Sequence, residues 1–347
     1  MRFLLIETSD NHHETLLSLI AYAKLQPFPT KVYVAAPPAY ESLYASLGEV
    51  DGFFSLAQDG QALNEWIKAM GIEVIFHNTA YGHAVWKLMR RLPPLPQVGI
   101  IHDTEKLHRP SWLGWQIAWK LKKFFVLREK LQKDLPSFWR KKAHTLHLAE
   151  LPLSLWQKLP PISKPAGEKW FAIPGRIELK RRAYLDLIHE LVKGDIAPEW
   201  KFLLLGPAEA AYSDWPRIQN ELRRYGLLSA FKVFPQGLSF PAYHAYLRVC
   251  EGILPLIHPG IPYFSKYLRY QITGAFSLAF IHRKPLFLHE AFALEEDLQD
   301  AAFFYSSPSQ LIELLRAYPE CPLYQKQFWK ESSLTLGAVL REVWGRG

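Results

Sequence analysis

Residues able to do chemistry gather most densely at positions 169–191. Phe171-Ala172-Ile173-Pro174 is a short apolar run and Gly175-Arg176 follows it; Lys180-Arg181-Arg182 then precede Leu185, Leu187, Ile188, Leu191 and Val192 at helical spacing. A strand, a glycine turn, cations and a helix start in that order can hold an anion. The glycine lets a ligand approach the main chain, the helix N-terminus offers unbonded N–H groups, and the cations add full charge. A diphosphate suits those donors. The stretch also reads as a solvated basic turn, because a short motif alone carries little specificity.

Further candidates lie at the ends of apolar runs. Ile100-Ile101 leads into His102-Asp103, where His102 can orient a hydroxyl or relay a proton and Asp103 can orient the ring. A strand-end histidine bonded to its own turn is the plainer alternative. Asn11-His12-His13-Glu14 opens the first helix: Asn11 with Glu14 three residues on resembles a capping box, and Asn11 and His13 are candidate acceptor contacts. Adjacent histidines lack the spacing of a helical metal pair, so no metal is assigned. Asn78, in His77-Asn78-Thr79, is either an acceptor contact or a cap for a helix from Ala80. His258-Pro259-Gly260 is a turn after another apolar run. Thr273-Gly274-Ala275 with Ser277 offers a second helix start for phosphate, or small residues that let a helix pack on a sheet.

Between Arg109 and Lys142, Trp112, Trp115 and Trp119 lie at helical spacing among Lys120, Lys122, Lys123, Arg128, Lys130, Lys133, Arg140 and Lys141. Aromatic rings with cations suit an anionic membrane surface; a packed tryptophan face with a solvated basic side has the same composition. No nucleic-acid-binding module is recognisable, and no nucleic-acid partner is expected.

These residues must be positioned by an alternation of short apolar strands and amphipathic helices. Strands are predicted at 3–6, 31–35, 53–56, 73–76, 97–101, 124–127 and 144–148, with helices at 14–24, 40–47, 61–70, 80–91 and from 129. The proline-rich stretch 160–167 then breaks the pattern as an extended linker. Beyond it, strands are predicted at 171–174, 201–205, 231–235, 252–256 and 285–289, with helices at 217–225, 241–248, 268–280 and 309–317. Such alternation implies α/β architecture: two doubly wound, parallel, Rossmann-like domains facing across a cleft. The expected bounds are 1–158 for the first domain, 159–168 for the linker and 169–325 for the second. A C-terminal helix over 326–347 packs back on the first.

The chain has 347 residues, enough for two domains, and 49% of them are hydrophobic, which excludes wholesale disorder. Its net charge of +8 favours an anionic partner. Two cysteines, Cys250 and Cys321, cannot build a disulfide framework or a zinc site, and fit a reducing compartment. The apolar start over 1–6 is too short for a signal-peptide core, and no run approaches the length of a spanning helix. A cytoplasmic protein, peripheral on the inner face of the cell membrane, is expected.

From Phe171 onward the chain resembles the GT-B glycosyltransferases of family 4. Gly175-Arg176 matches the family's Gly-Arg, and Arg181 stands at its lysine position with Lys180 beside it. Leu203-Leu204-Leu205-Gly206 matches a strand ending in glycine; Val233-Phe234 and Gly237 match a Val-x-Phe-x-Gly strand; Tyr243, Tyr246 and Leu254-Pro255 follow in order. The resemblance implies a retaining, metal-independent hexosyltransferase-like enzyme (EC 2.4), with no cofactor beyond a nucleotide-diphosphate sugar as donor. By resemblance Arg176 and Arg181 hold the diphosphate, Gly175, Lys180 and Gly206 line it, Phe234 and Gln236 touch the base, and the His258 loop closes on the donor. His102 and Asp103 stand near sugar and acceptor. The implied acceptor is a glycan or lipid-linked hydroxyl of bacterial cell-surface polysaccharide synthesis. The chain departs from the family at its paired glutamates: counting back from Lys284-Pro285 puts Leu278 and Tyr270 there. A different donor geometry, a nucleotide-sugar epimerase, or a binding protein without catalysis stays open.

Overall fold

The computed structural model describes residues 1–9, 12–57, 60–109, 111–194, 196–317, 324 and 326–345. The chain forms two compact units, Met1–Gln157 with Gln327–Gly347, and Lys158–Lys326.

The first unit is a seven-stranded parallel sheet built from β1 (Arg2–Ile6), β2 (Lys31–Ala36), β3 (Gly52–Ser55), β4 (Val74–His77), β5 (Gln97–Ile100), β6 (Lys123–Val126) and β7 (Ala143–Thr145). Spatial order is β3-β2-β1-β4-β5-β6-β7. Its helices are α1 (His13–Lys24), α2 (Glu41–Ala45), α3 (Gly60–Met70), α4 (Gly82–Arg91), α5 (Glu105–His108), α6 (Trp112–Lys120), α7 (Glu129–Asp134), α8 (Ser137–Arg140) and α9 (Leu153–Gln157). The central strands are buried over nearly their whole length, Phe3–Ile6 of β1 and all of β4, because helices cover both faces, as parallel sheets require. One core gathers Leu4, Ile6, Tyr33, Leu63 and Ile75; a second gathers Met89, Ile117, Phe124 and Trp139.

The second unit is a six-stranded parallel sheet: β8 (Lys169–Ile173), β9 (Trp200–Pro207), β10 (Phe231–Phe234), β11 (Gly252–Ile253), β12 (Leu286–His289) and β13 (Ala302–Tyr305), in the order β10-β9-β8-β11-β12-β13. Its helices are α10 (Tyr184–Lys193), α11 (Trp215–Arg224), α12 (Phe240–Val249), α13 (Phe264–Arg269), α14 (Gly274–His282), α15 (Glu296–Gln299) and α16 (Pro308–Ala317). Phe171, Ile173, Leu187, Ile188, Leu204 and Phe287 form its core. The last helix, α17 (Phe328–Trp344), returns to the first unit and packs on α1.

Several sequence expectations shift. The helix expected at 268–280 is two, α13 and α14, separated where Thr273 caps the second through its hydroxyl and Ala275 N–H at 3.4 Å. Val192 is 44% exposed and so lies off the buried stripe of α10. β13 was not anticipated, since Ala302-Phe303-Phe304-Tyr305 is short and has no turn signal before it. Asn11 and Cys321 lie outside the described residues. The N-cap position of α1 belongs to His12, left-handed at φ 64°, with no side-chain cap. Cys250 is a buried free thiol whose pKa burial pushes up to about 12.

Five histidines, the buried His13, His77 and His244 and the half-buried His102 and His282, are held below the ordinary value of 6.5 chiefly by desolvation, His13 and His77 to about 4 and His244 to about 3. Unfolding frees these rings to bind protons near 6.5. Stability is therefore full above about pH 6.5 and is lost as the pH falls towards 4. Urea midpoints measured from pH 7.5 to 4.5 should drop across that window. His77→Gln, which removes one such ring, should flatten the dependence by roughly one proton, about 1.4 kcal/mol per pH unit near pH 5. An unchanged slope would show that His77 already titrates freely in the folded chain.

Candidate functional site

In each sheet one pair of neighbouring strands sends its connections to opposite sides, which opens a crevice at their carboxyl ends. In the second unit this pair is β8 and β11. Ile173-Pro174 and Leu254-Pro255 end their strands, and proline has no N–H with which to continue a ladder. Gly175 takes φ 89°, and Leu256 takes the left-handed φ of 51°. A Cβ on Gly206 of β9 would collide with the Gly175 carbonyl, so the two main chains lie against each other there. A Cβ on Gly175 would sit 2.8 Å from Arg182 Nη2.

Arg182, 7% exposed, spans the crevice. Its Nη1 donates to the Pro255 carbonyl at 2.5 Å and its Nη2 to the Pro174 carbonyl. It thus ties the ends of β8 and β11. The preceding loop carries the other cations, and they surround one acid. Glu178 is 2% exposed and faces Arg181 Nε at 2.9 Å, Lys180 Nζ at 3.3 Å and Arg176 Nη1 at 3.7 Å. Arg181 also donates to the Tyr267 hydroxyl at 3.1 Å and stacks over Tyr263; Arg176 stacks over Tyr212. Burial opposes the charge on Arg181, but Tyr267 and Glu178 outweigh it and raise its pKa. Three partly exposed cations around one covered carboxylate leave an excess of two positive charges. That excess is what a dianion needs, and Tyr212, Tyr263 and Tyr267 supply the aromatic walls.

The first turn of α10 already holds an acid, Asp186, whose Oδ2 meets His258 Nδ1 at 2.9 Å. The other nitrogen of His258 meets the Tyr305 hydroxyl at 2.8 Å. His258 is 4% exposed with both nitrogens engaged, so it braces the loop after β11 rather than offering a free ring. Thr273 caps α14 and Ser277 is buried within it, whereas Gly274 is exposed at its start. Phe234 packs on Tyr246, and Gln236 is exposed and donates to Glu209. Both lie at the end of β10, the edge of the sheet.

The equivalent crevice of the first unit lies between β1 and β4. Its brace is an acid. Glu7, fully buried, accepts from Ser9 N–H and Oγ at 2.8 Å each, from Asn78 Nδ2 at 2.6 Å and from Thr79 Oγ1 at 2.7 Å. Asn78 is buried and also donates to the His12 carbonyl; its Oδ1 has no hydrogen-bond partner among the described residues. The His12 ring stacks on His102 at 4.2 Å, and His102 Nε2 meets the Asn78 carbonyl at 2.8 Å. Burial, then the charge of His12, hold His102 well below its ordinary pKa, so its ring is neutral at pH 7. Asp103 Oδ1 accepts from Glu105 N–H at the start of α5. His13 is turned inward: its ring stacks on Tyr40 at 3.4 Å and its Nδ1 meets the Tyr44 hydroxyl. It is 4% exposed and is not presented at the strand ends. Asn78 caps no helix, since α4 begins at Gly82 behind Tyr81.

The structure therefore gathers Gly175, Arg176, Lys180 and Arg181 in one crevice, and His12, His102 and Asn78 in another. Sequence reasoning named Arg182 and His12 only within longer stretches and gave no role of their own to them, to Glu178 or to Glu7. Glu178 lies within three residues of each surrounding cation, a signal present in the sequence. Among the described residues, no group of three or more His, Cys, Asp and Glu is placed to hold a metal ion.

No protein-family model matches the sequence, and no curated protein matches it. Solved structures match over the whole chain. HepE of Anabaena, in complex with UDP, is 12% identical with a TM-score of 0.61, covering 100% of both chains. Sucrose-phosphate synthase of Thermosynechococcus elongatus is 12% identical with a TM-score of 0.64, again covering 100% of both. UDP-GlcNAc 2-epimerase of Methanocaldococcus jannaschii is 10% identical with a TM-score of 0.58, covering 99% of this chain and 100% of that one. The fold is the α/β GT-B fold, shared by glycosyltransferases and by these epimerases.

Gly175→Ala tests the crevice. Its positive φ and the contact with Arg182 should cost about 1–3 kcal/mol in urea unfolding. Gly260→Ala, where a Cβ meets open space, should be near neutral. Equal effects at the two positions would mean that Gly175 is not constrained.

Proposed function

We propose that the protein is a glycosyltransferase that moves a sugar from a nucleotide-diphosphate donor to an acceptor hydroxyl. The carrying observation is the excess of two positive charges in the second unit, where Arg176, Lys180 and Arg181 surround the single covered carboxylate of Glu178 at the β8/β11 crevice. Two comparisons support the donor class: HepE has been solved with UDP and with UDP-glucose.

In this reading Arg176, Lys180 and Arg181 bind the diphosphate. As the glycosidic bond to the β-phosphate breaks, negative charge grows on the leaving oxygens, and fixed cations stabilise it without a large reorganisation. The reaction is retaining and metal-independent on the strength of the family resemblance. On the first unit, His102 and its stacked partner His12 are the groups that orient or relay a proton from the acceptor hydroxyl. His102, kept neutral by burial, is a proton acceptor at pH 7. The acceptor is a glycan or lipid-linked alcohol of bacterial cell-surface synthesis, and the enzyme works as a peripheral membrane protein.

The epimerase likeness motivates a second reading, isomerisation of a UDP-sugar without an acceptor. It needs carboxylates free to move protons. In the β8/β11 crevice Glu178 is held by three cations and Asp186 by His258, which disfavours it.

Calorimetry with UDP, GDP and dTDP should show binding of at least one diphosphate. Arg176→Ala should weaken that binding by about tenfold or more, as loss of a charge-assisted contact does. Proton NMR of the corresponding sugar nucleotides should show slow donor hydrolysis, and no C2 epimer of UDP-GlcNAc. Absence of binding to all three diphosphates would refute the transferase, and an accumulating epimer would replace it with the second reading.

A further inference from the structure

Helix α6 is apolar on two sides. Ile117 and Ala118 are buried in the first unit's core and Leu113 packs against it, which accounts for the inner face. The outer face repeats at i, i+3 and i+7 with Trp112, Trp115 and Trp119, which are 81%, 38% and 58% exposed. A helix apolar all round belongs in a protein core or in lipid, and here the outer half stays partly open to solvent.

The patch extends onto α8. Phe138, 41% exposed, lies with its ring centre 4.9 Å from Trp119 and 6.4 Å from Trp115. Beneath them Trp139 is fully buried, 5.7 Å from Trp119 and 5.8 Å from Trp115, and forms a rigid floor. Trp115, Trp119 and Phe138 are thus held in place by packing.

Cations frame the same patch. Positions 112–142 contain nine Lys and Arg against two acids, and both acids pair locally, Glu129 with Lys133 and Asp134 with Lys130. Lys120, Lys122, Arg140 and Lys141 are exposed and form no ion pair among the described residues. Lys142 caps α6 by donating to the Ala118 and Trp119 carbonyls and lies 5.8 Å from the Trp119 ring centre. Burial, then Lys122 and Lys123, lower its pKa to about 8, a sign of how closely positive charge is packed there. A second copy of this face would set cation against cation, so self-association does not cover it. An anionic bilayer satisfies both halves: indole rings favour the water–lipid boundary, and Lys and Arg meet headgroup phosphates.

We propose that the outer face of α6, with Phe138 of α8, is a membrane-docking surface that seats Trp112, Trp115, Trp119 and Phe138 in the interface of an anionic bilayer while Lys120, Lys122, Arg140 and Lys141 hold its headgroups. No helix among the described residues is long and apolar enough to cross a membrane, so the contact is interfacial. The docking does not depend on glycosyl transfer. Under the transferase reading it adds that the first unit meets its acceptor at a lipid surface, since α6 follows the His102 strand end by ten residues.

The full chain should co-sediment with phosphatidylcholine vesicles containing roughly 30% phosphatidylglycerol and release at high salt, and brominated lipid should quench its tryptophan emission. Trp112→Ser with Trp119→Ser, and separately Lys120→Glu with Lys122→Glu, should each weaken vesicle binding by about tenfold or more. Arg217→Glu with Arg223→Glu, an equal charge change on α11, should leave binding intact. Melting temperatures and circular dichroism confirm that the variants fold. The proposal is overturned if folded wild type does not bind, if either patch variant binds as wild type does, or if the α11 variant loses as much. It is equally overturned if the patch variants instead lose binding to a single-stranded oligonucleotide while vesicles are ignored. UDP calorimetry on the same preparations separates this outcome from failure of the transferase reading.

Discussion

A buried charge across a strand gap holds each unit in working shape. Where two parallel strands send their connections to opposite faces, the main-chain groups at their ends lose the neighbours that pair them elsewhere. In the second unit those groups are carbonyls, at Pro174 and Pro255, and the guanidinium of Arg182 donates to both. In the first unit the groups gathered there are donors, the Ser9 N–H and the side chains of Ser9, Asn78 and Thr79, and the carboxylate of Glu7 accepts from all of them. One crevice needs a cation and the other an anion because the sequences left opposite hydrogen-bonding deficits there. Removing either charge would leave a cluster of buried polar groups unpaired, a loss of about 3–5 kcal/mol.

The brace also sets what the second crevice can bind. Arg182 is spent on the main chain, so the loop's other cations are free to face outward. Glu178 gathers them without cancelling them, because one covered carboxylate cannot neutralise three positive groups. The tyrosines at 212, 263 and 267 restrict how those side chains move. A site arranged this way presents charge in fixed directions before any ligand arrives, which is the condition under which electrostatics stabilises a leaving group most. Leu278, one of the two positions where the resemblance would place a glutamate, is buried in α14.

Much of the fold was legible because its signals are local. Alternating apolar runs and amphipathic stretches revealed the strands and most helices, and Gly175 announced a turn that a Cβ would obstruct. The site was legible only in part. Arg182 was one more cation in a basic run until its carbonyl partner 73 residues away was known. Glu7 took its meaning from Asn78, 71 residues on. His13 and His12 are neighbours, yet one stacks inward on Tyr40 and the other on His102, a distinction set by the left-handed backbone at His12. Exposed and core-facing tryptophans are likewise indistinguishable by type: Trp139 is covered and Trp112 bare, and only packing separates them.

The return of α17 to the first unit bears on how the chain is made. Helix α1 is buried on nearly every side, and one of those sides is covered by α17, whose Phe328, Leu336, Val339 and Leu340 are buried; Ser332 also caps the His147 N–H. A ribosome releases residues in order, so the first unit emerges with an apolar flank open while the whole second unit is still being synthesised. The second unit is contiguous in sequence and can close by itself. The unit begun first is thus the last to be completed, and during that interval its bare α1 flank is the surface most in need of a chaperone.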